Sequence, residues 1–403
     1  MTLRVSPVYP AAWLARPGMP LLASERWQRA MGGRFDGDPV WLWTTRPGGG
    51  EGHQAEGPES LLAGLAGHVV EKPADYPLVD ALRVVADPDS PFADEAVRRR
   101  LAQSPVQSPG QTPAQTLALR AAWYPYLLLT CPGYATFPVG DAAADPGALR
   151  DLLSAVIDWA RGQGLRGVAL PYTEADSPLA HAAAGLGAVA PVISTDSQLA
   201  VPGGGFPAYL DGFPSRRRRT LRAERRALHA RGLRGRRADR ITDGLLDRLA
   251  ELRCHHRRKY GLTADPAAER ARLGRLTELL PASVDVITVG GTAADGSDAV
   301  SFGLFVRDHD TWHAVYTGND YDNPRSRHAY FEAAYYAPLE LAGRAGVSRI
   351  SYGLAAEEAK RHRGCTSVPI ACLLRGLTPE ARAAAVHVAA AWPARTETGH
   401  GRS

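Results

Sequence analysis

The sequence is poor in lysine, cysteine and long apolar runs. Lysine supplies three of the 47 basic residues in this 403-residue chain, so arginine carries nearly all of the positive charge. The four cysteines are widely spaced and form no CxxC pair, so neither a disulfide framework nor a zinc ribbon is indicated. No stretch approaches the roughly 18 apolar residues of a membrane helix, and the N-terminus does not resemble a secretory signal. We therefore expect a cytoplasmic protein with no membrane span.

Arginine is concentrated in one segment. Residues 215–240 contain twelve arginines and two acids, whereas the whole chain has a net charge of only +5. The segment predicts a helix that is capped by Ser215 and ends at Gly232 and Gly235, with Leu221 and Leu228 packed inwards. A local excess of positive charge indicates an anionic partner.

We expect this helix to bind phosphate groups, most plausibly those of RNA. Arg216, Arg219, Arg222 and Arg226 recur at spacings that place them on one face. The alternative is a solvated helix whose arginines pair with acids of a neighbouring domain. No aromatic residue lies between the arginines, which argues against a platform that stacks single-stranded bases. The predicted phosphate-binding residues are Arg216, Arg217, Arg218, Arg219, Arg222 and Arg226.

The rest of the chain predicts an α/β fold. In the first half, an irregular N-terminal region precedes strands at 119–129, 166–172 and 188–201, which alternate with helices at 147–164 and up to residue 184. In the second half, helices at 243–260 and 266–280 precede strands at 285–289, 299–306 and 312–317. A helix at 328–346, a strand at 348–353, a helix at 355–363 and a strand at 368–374 complete the order.

The two halves show a weak internal repeat. Aligning WARGQGLRGVALPY with ELAGRAGVSRISYG matches Gly164 with Gly346, and Val168 with Ile350. Such duplication indicates one fold used twice. We expect an N-terminal domain at 1–202, a C-terminal domain at 203–377, and a short helix with a flexible tail at 378–403. The low-complexity stretches at 46–58 and 103–116 are expected to be flexible.

Four features of the second half, in order, resemble the Fem/BioF-like branch of the GNAT acyltransferase superfamily. They are YLDGFPSRRRRTLRAERRALHARG, VYTGNDYDNPRSRHAYFEAAYYAPLELAGRAG, SRISYG and AAEEAKRHRGC. The resemblance implies two tandem GNAT-like domains, each with a mixed, mostly antiparallel sheet flanked by helices. It also implies an acyltransferase, because the branch includes the aminoacyl-tRNA-dependent Fem ligases of peptidoglycan and related transferases of natural-product pathways.

Amide formation requires a proton acceptor for the amine and donors for the developing oxyanion. GNAT-type sites supply these from the central strands and the start of the following helix, which here correspond to residues 312–328. An N-terminal helix end flanked by arginines is also suited to a phosphate-bearing carrier. The predicted substrate-binding residues are Trp312, Asn319, Tyr321, Arg325, Arg327 and His328.

The predicted catalytic residues are Lys360, Asp320 and Tyr316. The resemblance places the lysine of AAEEAKRHRGC in the substrate channel, and a lysine is exceptional in this arginine-rich chain. The alternative is an ordinary surface lysine. Asp320 matches the acid of the branch's loop and could accept a proton, or it could form only an Asx turn. His328 and Tyr316 are the other candidate proton acceptors, and Trp312, Tyr316 and Tyr321 could equally belong to the strand core.

The predicted donor is aminoacyl-tRNA, with no tightly bound cofactor and no metal. RSRHAY stands where the coenzyme A signature of the superfamily is expected, which favours tRNA over an acyl-CoA. The acceptor would be an amine of a cell-wall precursor or a secondary metabolite. One alternative is an acyl-CoA-dependent N-acyltransferase; another is a non-catalytic protein that binds nucleic acid or a polyanion. The N-terminal half has no counterpart of Lys360 and is expected to be structural.

Overall fold

The computed structural model describes residues 2–14, 18–32, 35, 37–45, 61–74, 76–102, 121–293 and 295–392. The predicted flexible stretches at 46–58 and 103–116, and the tail beyond residue 392, lie outside these ranges. The chain forms two compact units. The first comprises Met1–Gln28, Gly32–Thr195 and Val368–Ser403, and the second comprises Arg29–Met31 and Asp196–Ser367.

The first unit is built on six strands. They are β1 Thr2–Ser6, β2 Asp38–Thr45, β3 Leu61–Val70, β4 Tyr126–Leu129, β5 Gly167–Glu174 and β12 Thr366–Gly376, in the spatial order β1-β2-β3-β4-β5-β12. All neighbours are antiparallel except β4 and β5, which are parallel. The prediction of an irregular N-terminal region was therefore wrong. Strand β3 has the sequence LLAGLAGHVV and is buried on both faces, so it lacks the alternation that marks a strand.

The second unit repeats this arrangement. Its strands are β6 Val192–Ala200, which enters the unit at Asp196, β7 Arg234–Arg237, β8 Val284–Gly290, β9 Ser301–Asp308, β10 Thr311–Asn319 and β11 Arg349–Ser351. Their order is β6-β11-β10-β9-β8-β7, and again one central pair, β10 and β11, is parallel. The protein thus has two tandem GNAT-like domains with mixed, mostly antiparallel sheets, as the sequence predicted.

Helices flank both sheets. The helices that we number are α1 Ala11–Leu14, α2 Glu25–Met31, α3 Ala81–Val85, α4 Glu95–Ala102, α5 Pro146–Gly162, α6 Pro178–Gly185, α7 Gly205–Asp211, α8 Ser215–Ala230, α9 Asp243–Lys259, α10 Pro266–Leu279, α11 Ala329–Phe331, α12 Ala337–Arg344, α13 Glu357–Arg361 and α14 Pro379–Ala391. Residues Glu332–Tyr336 form a π-turn between α11 and α12. Within the described residues, none of the helices has the length and apolar character to cross a membrane.

The unit boundaries differ from the predicted division at residues 202 and 377, because each half of the chain contributes its last strand to the other unit. Leu199 of β6 pairs with Ile350 of β11, and Ile370 of β12 pairs with Glu174 of β5. The C-terminal helix α14 also belongs to the first unit, where the following Trp392 donates its indole N–H to Val85 O at 2.8 Å. Sequence order alone does not show which sheet edge a strand will join.

Several predicted elements have different limits. The strand expected at 119–129 begins only at Tyr126, after Pro125, which has no N–H for a ladder. The N-cap of α8 is Pro214, and Ser215 is its first helical residue. Gly235 lies inside β7, whereas Gly232 follows the C-cap of α8 with a φ of +76°. The helix expected at 328–346 is interrupted by the π-turn. All four cysteines are free and buried, as expected for small apolar residues.

Candidate active site

Strands β10 and β11 of the second unit separate soon after they meet. Their parallel pairing covers Thr311–His313 and Arg349–Ser351, while β10 continues to Asn319 with a bulge between Ala314 and Tyr316. After β11 the chain turns through Gly353, Ala355 and Ala356, with φ values of +66°, +62° and +51°. Left-handed alanines cost about 1–2 kcal/mol each, so this turn must be held by its surroundings.

Lys360 holds that turn. Its Nζ donates three hydrogen bonds of 2.8–2.9 Å, to the carbonyl oxygens of Tyr352, Gly353 and Leu354. Burial lowers the pKa of Lys360 to about 8, against an opposing effect of Asp196. An ammonium has three N–H donors. The three backbone carbonyls therefore engage every donor of Lys360 in this structure. Lys360 therefore lies beside the predicted site as a group that shapes the turn.

Glu224, Tyr336 and Arg363 form a buried polar cluster beneath α8. The Arg363 guanidinium donates to Glu224 Oε2 at 2.8 Å and also to the Tyr336 hydroxyl, which itself donates to Glu224 Oε2 at 2.6 Å. Arg363 is only 6% exposed, and its guanidinium lies 3.7 Å from the ring centroid of Phe331. Burial acts to raise the pKa of Glu224, but the hydrogen bonds from Arg363 and Tyr336 outweigh it and lower the pKa. The carboxylate is therefore ionised.

The π-turn carries Tyr336 into this cluster. Two features support the turn: Gly303 on β9, where a Cβ would lie 2.7 Å from Ala333 O, and Tyr352, whose hydroxyl donates to Ala334 O at 2.6 Å. The first shows that only glycine allows the turn to pack so closely. The second supplies a donor to the Ala334 carbonyl, because the residue four positions later is Pro338, which has no N–H. π-turns are rare and are frequent at functional sites.

A second ion-pair cluster fixes α8 to the helix that carries the π-turn. The Arg225 guanidinium donates to the carboxylate of Glu332 at 3.0–3.2 Å and to that of Glu340 at 2.6–2.9 Å. It also lies 4.5 Å from the ring centroid of Phe206. Glu332 is 1% exposed, so the pair is strongly coupled and its geometry positions the inward face of α8.

His328 begins the short helix that precedes the π-turn. It is the N-cap of α11, with a left-handed φ of +71°, and its side chain is half-buried. Burial lowers the pKa of His328, and Glu224 opposes that effect, so the two side chains lie in the same electrostatic environment. The neighbouring Arg325 and Arg327 are exposed, and they are joined to Arg231 by reciprocal bonds between guanidinium groups and backbone carbonyls.

Asp320 is already paired. Its Oδ2 lies 3.3 Å from Nη2 of Arg248, and its Oδ1 lies 3.6 Å from Nδ1 of His255. His255, Asp320 and Asp322 each place one possible ligand atom within 4.8 Å of the others, which is a spacing that a metal ion could bridge. Arg248 competes for the same carboxylate, so the geometry fits a salt-bridge cluster better.

Three other predicted residues are buried in or beside the strand layer. Trp312 is 1% exposed and stacks on Phe305 at 5.2 Å in the core. Tyr316 is buried beneath the Arg253 guanidinium, 5.3 Å from its ring centroid. Asn319 is 3% exposed, with Nδ2 3.5 Å from Ser326 Oγ. All three residues are buried as core residues are. For Trp312 and Tyr316, a place in the strand core was the alternative that the sequence analysis left open. Tyr321 instead lies in an aromatic cluster, where its hydroxyl is 3.0 Å from Nδ1 of His256.

The outward face of α8 is a cationic surface. Within the part of the chain that the structure describes, the side chains of Arg216, Arg219, Arg222 and Arg226 are exposed and make no hydrogen bond or ion pair, and Arg218 also has no such partner. Arg217 differs, since it donates to His362 O at 2.9 Å. We call Arg216, Arg218, Arg219, Arg222 and Arg226 the arginine face.

Sequence reasoning missed the buried cluster itself. Glu224 stood out only as an isolated acid in a basic helix, and its inward position, three residues after Leu221, was the available signal. Arg363 lies three residues after Lys360 in the motif quoted above, where the lysine drew attention instead. No feature of the sequence indicated a role for Tyr336. Its position in the cluster depends on the π-turn, whereas the sequence predicted a regular helix over 328–346.

The fold and this site define a class: a tandem GNAT-like protein whose second unit carries a polarised cluster beside separated central strands. The model of the FemAB-like family, described as peptidoglycan biosynthesis/recognition, matches residues 116–391. The chain belongs to this family.

The chain shares its fold with the solved structure of FemX. The structure of FemX has 10% sequence identity and a TM-score of 0.53, covering 90% of this chain and 94% of FemX. The C-terminal domain of a lysylphosphatidylglycerol synthetase from Agrobacterium fabrum has 13% identity and a TM-score of 0.46, covering 66% of this chain and 81% of that one. A tandem GNAT protein from the clavulanic acid pathway has 11% identity and a TM-score of 0.42, covering 94% and 99%. No curated protein sequence matches the chain.

Proposed function

We propose that this protein forms an amide by transferring an aminoacyl group from a charged tRNA to an amine of a peptidoglycan precursor. The family supports the cell-wall context, and the resemblance to Fem ligases supports the donor. The chain holds the parts that such a transfer needs: a cationic surface for a nucleic-acid carrier, an ionised buried cluster, and a neutral imidazole near that cluster.

One observation carries the proposal: α8 has two faces with different chemistry. Its inward face places Glu224 and Arg225 in buried ion pairs, while its outward face is the arginine face. A phosphate backbone bound outside would therefore lie on the same helix that builds the cluster inside. A solvated helix needs no such concentration of unpaired charge.

We assign proton transfer to His328. Its lowered pKa favours the neutral imidazole near pH 7, which would accept a proton from the attacking amine as the C–N bond forms and return it to the tRNA 3′ oxygen as the ester C–O bond breaks. Glu224 would stabilise the resulting imidazolium, and the buried charge of Arg363 would favour the developing oxyanion. Lys360 and Asp320, which the sequence predicted as catalytic, enter the proposal as positioning groups, because their polar atoms are engaged by the backbone and by Arg248. Tyr316, which the sequence also predicted as catalytic, has only a packing role beside Arg253 in the proposal.

The test is a transfer assay with purified protein and amine-bearing peptidoglycan precursors. Bulk tRNA charged with labelled amino acids is the donor in one arm, and labelled acetyl-CoA is the donor in the other. We expect label to move from tRNA to the precursor, and His328→Gln to reduce turnover while leaving tRNA affinity unchanged. Transfer only from acetyl-CoA would replace the proposal with an N-acyltransferase. Binding of tRNA without transfer from either donor would favour a non-catalytic nucleic-acid binder.

A further inference from the structure

The structure brings together five aromatic rings from three separate segments of the second unit. His256 and Tyr260 come from the end of α9 and its C-cap, Tyr321 comes from the loop after β10, and Tyr330 and Phe331 come from α11. The His256 ring lies 5.1 Å from Tyr260, 6.0 Å from Tyr321 and 5.8 Å from Tyr330, and the last pair is nearly parallel. We call these five residues the ring ladder.

One end of the ring ladder is open to solvent and flanked by cations. Tyr260 is 62% exposed, although its ring contacts that of His256. The Lys259 ammonium lies 3.9 Å from the centroid of Tyr321, and the side chain of Arg258 is exposed nearby in sequence. Burial, with Arg253 and Lys259, lowers the pKa of His256 to about 4, so its ring is neutral. The open end therefore offers flat rings beside positive charge.

The other end reaches the candidate active site. Tyr330 contacts Phe331 edge to face at 5.5 Å, and Phe331 lies beneath the Arg363 guanidinium. Arg363 in turn binds Glu224 and Tyr336. A continuous series of ring contacts thus connects a solvent-exposed tyrosine to the buried cluster.

We propose that the open end of the ring ladder binds an unpaired nucleotide near the 3′ end of an RNA carrier by stacking on Tyr260, and so holds the terminal ester near Arg363 and His328. This inference rests on the proposed function. Aromatic rings stack on any base, and nearby cations attract the phosphates that connect the bases. Such a site binds a single strand without depending on its base sequence. The arginine face would bind the duplex backbone, and the ring ladder would bind the unpaired end.

An anionic membrane is the competing partner for the open end. Tyr260 and Leu262 are both exposed, and basic residues precede them. A bilayer would use these two protruding side chains, but it would not use His256, Tyr321 or Tyr330, which are only partly accessible. The contacts that run from Tyr260 through His256 and Tyr330 to Phe331 therefore favour a partner whose end has a role beside Arg363.

The test measures binding of a short single-stranded RNA ending in CCA, and of whole tRNA, at several salt concentrations. Tyr260→Ala should weaken binding of the short RNA about tenfold, at the lower part of the range for loss of one stacked base. Tyr260→Phe should bind like the wild type, because the ring is retained. The matched control is Tyr76→Ala, which removes a tyrosine that is 42% exposed in the first unit and should leave affinity unchanged.

Salt dependence separates stacking from charge. For whole tRNA, Tyr260→Ala should keep the wild-type slope of log affinity against log salt concentration. Arg222→Ser should reduce the steepness of that slope by about 1. Equal binding of the short RNA by wild type and Tyr260→Ala overturns the inference, as does an absence of short-RNA binding by the wild type. Loss of binding to phosphatidylglycerol vesicles in Tyr260→Ala, without loss of RNA binding, would assign the open end to a membrane.

Failure of this inference and failure of the proposed function give different results. If transfer from aminoacyl-tRNA proceeds and Tyr260→Ala leaves both RNA affinity and KM for tRNA unchanged, only the ring ladder is wrong. If transfer from aminoacyl-tRNA is absent in the wild type, the proposed function is wrong. A Tm equal to that of the wild type shows that Tyr260→Ala is folded, as expected for an exposed residue.

Discussion

The two units share one strand arrangement but differ in the helix that joins the central parallel strands. In the first unit, this helix is α5, a regular helix whose N-cap Asp145 accepts a bond from Ala148 N–H. In the second unit, the corresponding helix begins at a left-handed His328 with no side-chain cap and is interrupted by the π-turn. The same scaffold is thus regular in one copy and strained in the other, at the position where the candidate active site lies.

The buried polar groups differ in the same way. In the first unit, Asp80 is fully buried, and its carboxylate accepts bonds from the hydroxyls of Tyr124 and Tyr126 at 2.5 and 3.2 Å, and from backbone N–H groups of α3. Those partners are neutral and fix local structure. In the second unit, Glu224 faces a buried guanidinium instead. Under the proposed function, the first unit would stabilise the fold and the second would perform the chemistry.

Breaking the second unit's cluster should have the largest effect. Arg363→Met removes one member of a buried ion pair, which costs about 3–5 kcal/mol in the free energy of unfolding. Turnover should fall more than about 100-fold even at temperatures where the variant is folded, because the oxyanion loses its nearby charge. Urea unfolding and the transfer assay measure the two effects. A double variant with Glu224→Gln should recover part of the stability but no turnover; recovered turnover would make the cluster purely structural.

The equivalent change in the first unit should affect stability alone. Asp80→Ala leaves buried donors unsatisfied and removes the cap of α3, with an expected cost of about 3 kcal/mol. Turnover per folded molecule should equal that of the wild type, as measured by activity assays on samples whose folded fraction is known from circular dichroism. Loss of turnover in fully folded Asp80→Ala would contradict a structural role for the first unit.

Lys360, which lies in the second unit, should make the free energy of unfolding depend on pH. Its folded-state pKa is lowered to about 8 from the usual 10.5, so the unfolded chain binds more protons between these values. Stability from this group is therefore gained as pH rises from 8 to 10.5, and is lost as pH falls through 8. Relative to Lys360→Met, wild-type stability should rise by about 2–3 kcal/mol over that range. Parallel stability curves for the two proteins would show that burial does not lower the pKa of Lys360, because the three carbonyl oxygens stabilise the ammonium.

The sequence predicted the repeated scaffold better than it predicted the site. Gly164 and Gly346, matched by the repeat, both have φ near +70° after a helix, which confirms that the repeat reflects backbone geometry. The exchange of β6 and β12 could not be predicted, because both strands have the same pattern whichever sheet they join. The pairing of Arg363 with Glu224 could not be predicted either, since it spans 139 residues and depends on the π-turn. Residues whose role is set by such distant contacts leave little signal in a single sequence.

The arginine face should show the smallest effect on stability. Replacing Arg219, Arg222 and Arg226 with serine removes exposed side chains that have no partner in the described part of the chain, so the Tm should not change. The slope of log tRNA affinity against log salt should nevertheless fall by about 3, one for each lost phosphate contact. The matched control removes the same charge from the first unit, with Arg98, Arg99 and Arg150 changed to serine, all of which are exposed. If both triple variants weaken tRNA binding equally, the net charge of the protein attracts the RNA, and the arginine face has no special role. The two units would then not differ in their contribution to binding of the donor.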